Sequence, residues 1–180
     1  MNTKQAESPG NLKEMKSNIP CFILAGGKSS RFKSDKAKLF YKHQYSLCKK
    51  VFKNIYFVAK KKKFKKYPFF IEKSKTYAPV FALEEIIKKH KKVFVINIDT
   101  PLVTEKEIKK LLLKKAVAKE NPLIGYYDYT MLKNINKNSL KIYGINKREL
   151  SIKNHLNINK KEDLNLLPNK IRKRIKFRKS

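Results

Sequence analysis

The 180-residue sequence contains no tryptophan, two cysteines, five glycines and only 14 acidic residues. Two cysteines cannot form a disulfide framework, and Cys21 lies within an apolar run, so we expect reduced thiols and a cytoplasmic protein. No apolar run approaches the roughly 18 residues of a membrane span. Residues 1–18 are polar and lack the apolar core of a secretory signal. These absences predict a protein without membrane span, secretion signal or disulfide.

Positive charge dominates the composition: 45 lysines and arginines give a formal net charge of +31. Such a field attracts anions, either a nucleic acid or a small anionic substrate. The lysines are spread over the whole chain and are densest in 60–66, so we do not expect nucleic acid to be the primary partner. A lysine-driven nucleic-acid-binding protein stays the alternative class, and its binding would weaken steeply with salt.

Apolar segments of two periodicities alternate along the chain. The strand pattern occurs at 20–24, 54–59, 68–72, 92–98 and 123–127. The helix pattern occurs at 39–52 and 79–90, and a capping box of Thr104 and Glu107 predicts a helix from Glu105. One or two weaker helices are expected in 132–150, and a strand followed by a helix in 154–167. Strands alternating with helices predict an α/β fold with a mostly parallel sheet in 19–168, between a disordered leader, 1–18, and a basic tail, 169–180.

The stretch "LAGGKSSRFKSDKAKL", residues 24–39, follows a predicted buried strand. Ligands bind beyond the carboxyl ends of the strands in such sheets. Gly26 and Gly27 let the backbone approach a ligand closely, and successive N–H groups can cradle a phosphate. Arg31 and Lys36 add positive charge. The spacing matches neither a Walker A loop nor GxGxxG, so a structural turn and a phosphate site are both consistent with the glycines alone.

Asp99, one of four aspartates, ends the clearest predicted strand. A carboxylate at that edge suits Mg²⁺, although Asp before Thr-Pro is also a good turn former. Asn157 and Asn159 alternate with apolar residues, and on a strand both amides would share one face. They are candidates for binding phosphate or a metal-bound water, with strand-end capping as the alternative.

The stretch 24–39 resembles the signature LAGGxSxRMGxDKxxL of the MobA-like nucleotidyltransferases, with Phe32 and Lys33 in place of the usual Met and Gly. Later segments resemble further motifs of that family in the same order: "VINIDTPLV", "NPLIGYY" and "HLNINKKEDL". The resemblance spans residue 19 to about residue 167. It implies a three-layer Rossmann-like nucleotidyltransferase fold.

The activity implied by the resemblance is Mg²⁺-dependent transfer of GMP from GTP to molybdopterin, usually molybdenum-loaded, which yields the guanine dinucleotide cofactor and pyrophosphate. Implied partners are these substrates and, transiently, molybdoenzymes or their chaperones. The implied catalytic residues are Arg31, Lys36 and Asp99, with Asp99 also the Mg²⁺ ligand. The implied nucleotide-binding residues are Leu24, Ala25, Gly26, Gly27, Lys36, Lys73 and Asp99.

The resemblance breaks down where the family holds the nucleotide base. Lys73 stands where relatives often have an Asp, and Val58 stands where a family Asn is expected. Glu72 comes one residue earlier, but successive side chains of a strand point to opposite faces. The sequence therefore leaves the identity of the nucleotide base open. The alternative is a related nucleotidyltransferase that uses CTP or another phosphate acceptor.

Overall fold

A computed structural model describes residues 16–26, 36–136, 138–173 and 175, with the side chain of Lys36 left out. The strands are β1 (Cys21–Leu24), β2 (Ile55–Ala59), β3 (Phe69–Ile71), β4 (Lys92–Asn97), β5 (Val117–Ala118), β6 (Gly125–Asp128) and β7 (Glu149–Leu150). The helices are α1 (Lys36–Val51), α2 (Pro79–His90), α3 (Glu105–Leu113) and α4 (Asn169–Arg172). Short 3₁₀ helices cover Tyr129–Asn134 and Glu162–Leu166.

The strands form one seven-stranded sheet in the order β3-β2-β1-β4-β6-β5-β7. The pairs β1–β2, β1–β4, β2–β3 and β5–β7 are parallel. Only β6 runs against its neighbours β4 and β5 among the described strands. The prediction of a mostly parallel sheet is confirmed, and the carboxyl ends of β1 to β4 lie along one edge.

Both faces of the sheet are covered by helices. Phe22 and Val95 belong to a buried cluster with α2, whereas Ile23 and Ile96 belong to another with α1 and α3. All four side chains are fully buried. Alternate residues of a strand point to opposite faces, so a strand covered on both sides is apolar throughout. The three-layer arrangement implied by the resemblance is therefore confirmed.

Helices α2 and α3 begin where the sequence predicts. Pro79 occupies the first turn of α2, where its missing N–H costs nothing. At α3, Thr104 Oγ1 accepts from Glu107 N at 3.3 Å and Glu107 Oε2 accepts from Thr104 N at 2.9 Å. This reciprocal capping box satisfies two N–H groups that the helix leaves unpaired.

The weaker helices predicted in 132–150 are wrong for the described residues there. That stretch continues a 3₁₀ helix to Asn134, then runs through turns to β7. The Asn136 side chain accepts from Asn138 N at 3.0 Å, and Leu140 and Gly144 have positive φ of 54° and 81°. Asparagine side chains that bond nearby backbone compete with helix formation.

The strand predicted in the first part of 154–167 is also wrong, since residues 154–159 form no strand, and the helix after it is the 3₁₀ helix Glu162–Leu166. Single hydrogen bonds, rather than a strand ladder, hold residues 154–159 in place. Near the chain ends, Ser17 forms an isolated parallel bridge to Phe52, and Ile175 is buried. No helix within the described ranges has the length and apolar content needed to cross a bilayer.

Candidate nucleotide and metal site

The predicted glycine turn and Asp99 leave the sheet from neighbouring strands. Leu24, the last residue of β1, is paired with Asn97, the last residue of β4. The Ile98 amide donates to the Leu24 carbonyl at 3.1 Å, and the Ala25 amide donates to the Val58 carbonyl at 2.9 Å. The backbone of 24–26 therefore begins its turn beside Asn97 and Ile98, which immediately precede Asp99 in the chain.

Three of the predicted residues have no described side-chain position. Gly27 and Arg31 lie outside the described residues, and Lys36 is described only as the first residue of α1. Their phosphate-binding and catalytic roles stay predictions.

Helix α1 holds the turn that contains Asp99. The Gln44 side chain is fully buried, and its Nε2 donates to Asn97 O at 2.6 Å and to Thr100 O at 3.3 Å. His43 Nε2 lies 2.9 Å from Pro101 O. These bonds satisfy carbonyls that leave the sheet ladder. The sequence analysis missed Gln44. The available signal was its spacing, because Gln44 lies four residues after Phe40 and four before Cys48 and so shares the apolar face of α1.

The segment 154–159 lies against the same turn. The Ile158 amide donates to the Asp99 carbonyl at 2.8 Å. The buried Asn121 Nδ2 donates to Asn157 Oδ1 at 3.0 Å. Ile158 is fully buried, whereas Asn157 and Asn159 are exposed on either side of it. The structure thus brings both asparagines near the backbone of Asp99 without the strand that the sequence predicted.

Glu107 fastens this segment to α3. Its Oε1 accepts from Lys153 N at 3.0 Å and Asn154 N at 3.2 Å, while Oε2 caps the helix at Thr104. Burial alone would raise the pKa of Glu107, but hydrogen bonds from Thr104 and Asn154 outweigh burial and hold its pKa below 4.5. A carboxylate that accepts several N–H bonds is stabilised in its charged form.

The donor set fits Mg²⁺ bound together with a phosphate. In the described part of the chain, no three His, Cys, Asp or Glu side chains are grouped to hold a metal ion. Mg²⁺ does not need such a cage, because it keeps several waters and binds through one or two carboxylates plus substrate phosphates. The half-buried Asp99 at the carboxyl edge of the sheet provides one such carboxylate.

A cleft opens on the other side of the glycine turn, between the ends of β1 and β2 and the start of α2. Its empty volume is about 420 Å³, including space open to solvent. Its lining residues are Leu24, Gly26, Val58, Glu72, Tyr77, Ala78, Pro79 and Ala82. Lys73, the predicted nucleotide-binding residue, is exposed and is absent from this lining, and its backbone amide donates to Glu85 Oε2 at 3.0 Å.

Comparison with known proteins supports the resemblance. The profile of the MobA-like NTP transferase domain matches residues 21–128. A molybdenum cofactor guanylyltransferase from Campylobacter jejuni subsp. doylei is 36% identical over 61% of this chain and 68% of its own. A protein of the same name from Helicobacter pylori strain G27 is 33% identical over 66% of this chain and 71% of its own.

Solved structures share the fold. The crystal structure of Aq1419 from Aquifex aeolicus has a TM-score of 0.67 and 28% identity, covering 81% of this chain and 96% of that one. Molybdopterin-guanine dinucleotide biosynthesis protein A from Archaeoglobus fulgidus has a TM-score of 0.65 at 16% identity, covering 82% and 96%. With more than half of its length matched by the domain profile, this chain belongs to the family of MobA-like NTP transferases and is a nucleotidyltransferase.

Proposed function

We propose that the protein transfers GMP from GTP to molybdopterin, with Mg²⁺, and so forms the guanine dinucleotide cofactor and pyrophosphate. In this reaction an oxygen of the pterin's terminal phosphate attacks the α-phosphorus of GTP. The bond between the α-phosphorus and the oxygen bridging to the β-phosphorus breaks, and pyrophosphate leaves. The names of the Campylobacter and Helicobacter relatives support this choice of substrates.

The observation that carries the proposal is the adjacency of the β1 turn and Asp99 through the Ile98–Leu24 hydrogen bond of 3.1 Å. Phosphoryl transfer between phosphates needs alignment and charge neutralisation more than covalent help. In the proposal, the backbone amides after Leu24 bind phosphate oxygens, and Asp99 holds Mg²⁺. The metal would neutralise the phosphate charge, and Lys36 and Arg31 would add positive charge to the same end of the nucleotide.

The surroundings of Asp99 suit a pre-organised ligand. Its turn is fixed by Gln44 from α1 and by Ile158 from the opposite side, so its backbone has little freedom to move on binding. A group held in its productive position does not lose additional conformational entropy when the ligand arrives. The large positive net charge of the chain would speed the encounter with a triphosphate.

Asp99→Asn tests the metal role, with Asp128→Asn as a matched control. Both substitutions remove one carboxylate charge. Asp128, however, lies opposite Lys92 in the β4–β6 strand pairing, at the beginning of β4, whereas Asp99 follows the other end of that strand. We expect Asp99→Asn to abolish the extra rise in melting temperature that Mg²⁺ adds to GTP, and to abolish dinucleotide formation. Asp128→Asn should retain both. A loss of only a few-fold in the turnover of Asp99→Asn would contradict its assignment as the essential ligand.

Parallel assays with GTP and CTP, scored by the dinucleotide product, test the choice of nucleotide. A product formed only from CTP would replace the proposed reaction with cytidylyl transfer.

The proposal also includes transient contact with molybdoenzymes or their chaperones, since a labile product gains from direct transfer. Co-purification with a molybdoenzyme in the presence of GTP and molybdopterin, and its loss without them, would test that contact.

A further inference from the structure

Gln44 occupies a position of α1 that would suit an apolar residue. It lies between Phe40 and Cys48 on one face of the helix, and all three side chains are fully buried. Phe40 and Cys48 belong to the core cluster that packs α1 against the sheet. Glutamine is seldom buried in such a cluster, because its amide gives up water at both polar atoms. Its presence on this face therefore calls for a reason other than packing.

The Gln44 amide is bonded at one end only. Its Oε1 is buried, and among the described residues no donor lies within hydrogen-bond distance of it. A buried acceptor without a partner lowers stability, because it loses its bond to water and gains none in return. The oxygen therefore gives the fold no advantage over a methionine at this position, and the role of the side chain lies with Nε2.

Gln44 Nε2 holds the backbone on both sides of Asp99. It donates to Asn97 O at 2.6 Å and to Thr100 O at 3.3 Å. These carbonyls belong to the residue two before Asp99 and to the residue after it, so a single nitrogen closes the turn. From the other side, the Ile158 amide donates to the Asp99 carbonyl at 2.8 Å. The backbone that carries the carboxylate is thus restrained from two directions.

Neither of the two carbonyls needs Gln44 to be satisfied. Asn97 O also accepts from Thr100 Oγ1 at 2.9 Å, and Thr100 O also accepts from Val103 N at 3.3 Å. A carbonyl that keeps one partner does not become an unsatisfied buried group. Removal of the amide should therefore affect stability little, while it breaks the polar link between α1 and the turn.

We propose that Gln44 is a positioning residue that fixes the Asp99 carboxylate in the orientation in which it binds Mg²⁺ together with the nucleotide. This inference rests on the role proposed for Asp99 and goes beyond it. Helix α1 begins at Lys36, within the family signature, and Gln44 lies about 12 Å further along the helix axis. One rigid helix therefore sets the distance between that signature and the metal ligand. Misplacement of a reacting group by about 1 Å can lower the rate about a hundredfold.

Asn146→Leu is the matched control for Gln44→Met, since each replaces a buried amide by an apolar side chain of similar size. Asn146 Nδ2 also donates to two carbonyls, Lys115 O at 3.0 Å and Tyr126 O at 2.7 Å, and its Oδ1 accepts from Arg148 N at 2.9 Å. This amide is bonded at both ends and holds β6 rather than the turn after β4. Without ligands, we expect the melting temperature to fall by about 6 °C or more for Asn146→Leu and by less than about 4 °C for Gln44→Met.

Hydrogen exchange followed by NMR tests the turn without metal or substrate. The Ile158 amide reports on the turn through its bond to the Asp99 carbonyl, and the Ala118 amide, bonded to Ile124 O at 2.8 Å, reports on the sheet. In Gln44→Met the Ile158 amide should exchange about tenfold faster than in the wild type, because the turn opens locally with one bond fewer. The Ala118 amide should be unchanged.

Metal dependence then separates positioning from general weakening of the fold. For Gln44→Met at 25 °C, the Mg²⁺ concentration that gives half-maximal turnover should rise about tenfold, and kcat should fall about tenfold or more. The KM for GTP at saturating Mg²⁺ should stay within about twofold of wild type. The extra rise in melting temperature that Mg²⁺ adds to GTP should shrink by more than half. Asn146→Leu should keep the wild-type values of all four quantities despite its lower stability.

The outcomes distinguish this inference from the proposed function. Wild-type protein without any effect of Mg²⁺ on GTP binding or turnover would refute both. Rapid exchange of the Ile158 amide in the wild type would refute the positioning role, whether or not the variants fold. Wild-type metal dependence in folded Gln44→Met, or an equal loss in Asn146→Leu, would refute it too and leave the assignment of Asp99 in place. If Gln44→Met does not fold, Gln44→Asn, whose amide is one methylene too short to reach the turn, takes its place.

Discussion

Replacing Gly125 with alanine is expected to destabilise the sheet strongly, because β6 packs closely against β5 at this residue. A Cβ on Gly125 would lie 2.4 Å from Val117 Cα and 2.7 Å from Ala116 O. Carbon atoms in favourable contact are about 3.5–4.0 Å apart. Both obstructing atoms belong to the backbone, so no side-chain rotation relieves the overlap and the two strands have to separate.

The magnitude follows from what that separation disturbs. Backbone hydrogen bonds join the strands from Ala118 N to Ile124 O at 2.8 Å and from Tyr126 N to Ala116 O at 3.0 Å. Each is worth about 0.5–1.5 kcal/mol net, and overpacking strain adds about 1–3 kcal/mol. We therefore expect Gly125→Ala to lose about 2–6 kcal/mol. A loss of 4 kcal/mol lowers the melting temperature by about 8–16 °C in a chain of this size.

Gly144→Ala is the control, because Gly144 has a positive φ of 81° but no atom within 4 Å of a built Cβ. It should cost only about 1–2 kcal/mol, for the left-handed backbone. Urea unfolding followed by circular dichroism measures both variants. A loss below about 1 kcal/mol for Gly125→Ala, or one no larger than that of Gly144→Ala, would refute the packing argument.

Three further predictions concern groups away from the catalytic chemistry. Glu107→Ala should lower the free energy of unfolding by about 2 kcal/mol or more near neutral pH. Because the pKa of Glu107 is depressed in the folded protein, this contribution is present above pH 4.5. Urea unfolding should therefore show the difference from wild type shrinking as the pH falls below 4.5. Burial, assisted by a neighbouring lysine, lowers the pKa of His90, which packs 4.9 Å from the Phe22 ring; the neutral form is favoured in the fold, so urea unfolding should show wild-type stability falling as the pH drops below 6.5, and a flatter profile for His90→Leu. Cys21 and Cys48 are free and fully buried, so a thiol reagent should label neither in the native protein and both in urea; rapid native labelling would contradict their burial.

Much of the architecture was predictable because it is encoded in local patterns. The run from Cys21 to Leu24 is apolar because both faces of β1 are covered, and Thr104 with Glu107 caps α3 through contacts three residues apart. Such signals depend on a few neighbouring residues, so they survive without knowledge of the rest of the chain. The predictions were wrong in the asparagine-rich stretches near 136 and 154, where side chains bond to the backbone and replace regular structure: Asn136 Oδ1 accepts from Asn138 N, and Glu107 Oε1 accepts from Asn154 N.

The sequence by itself determined which chemical groups the candidate site has: glycines after a buried strand, a rare aspartate ending another, and a family signature that joins them. Only the tertiary structure decided their neighbours. Parallel pairing of β1 with β4 puts Leu24 beside Asn97, across more than 70 residues of chain, and so brings the turn to Asp99. The same folding places Lys60 on Glu72 and leaves Lys73 exposed. These contacts depend on strand order and loop path, which arise from packing of the whole domain rather than from any local pattern.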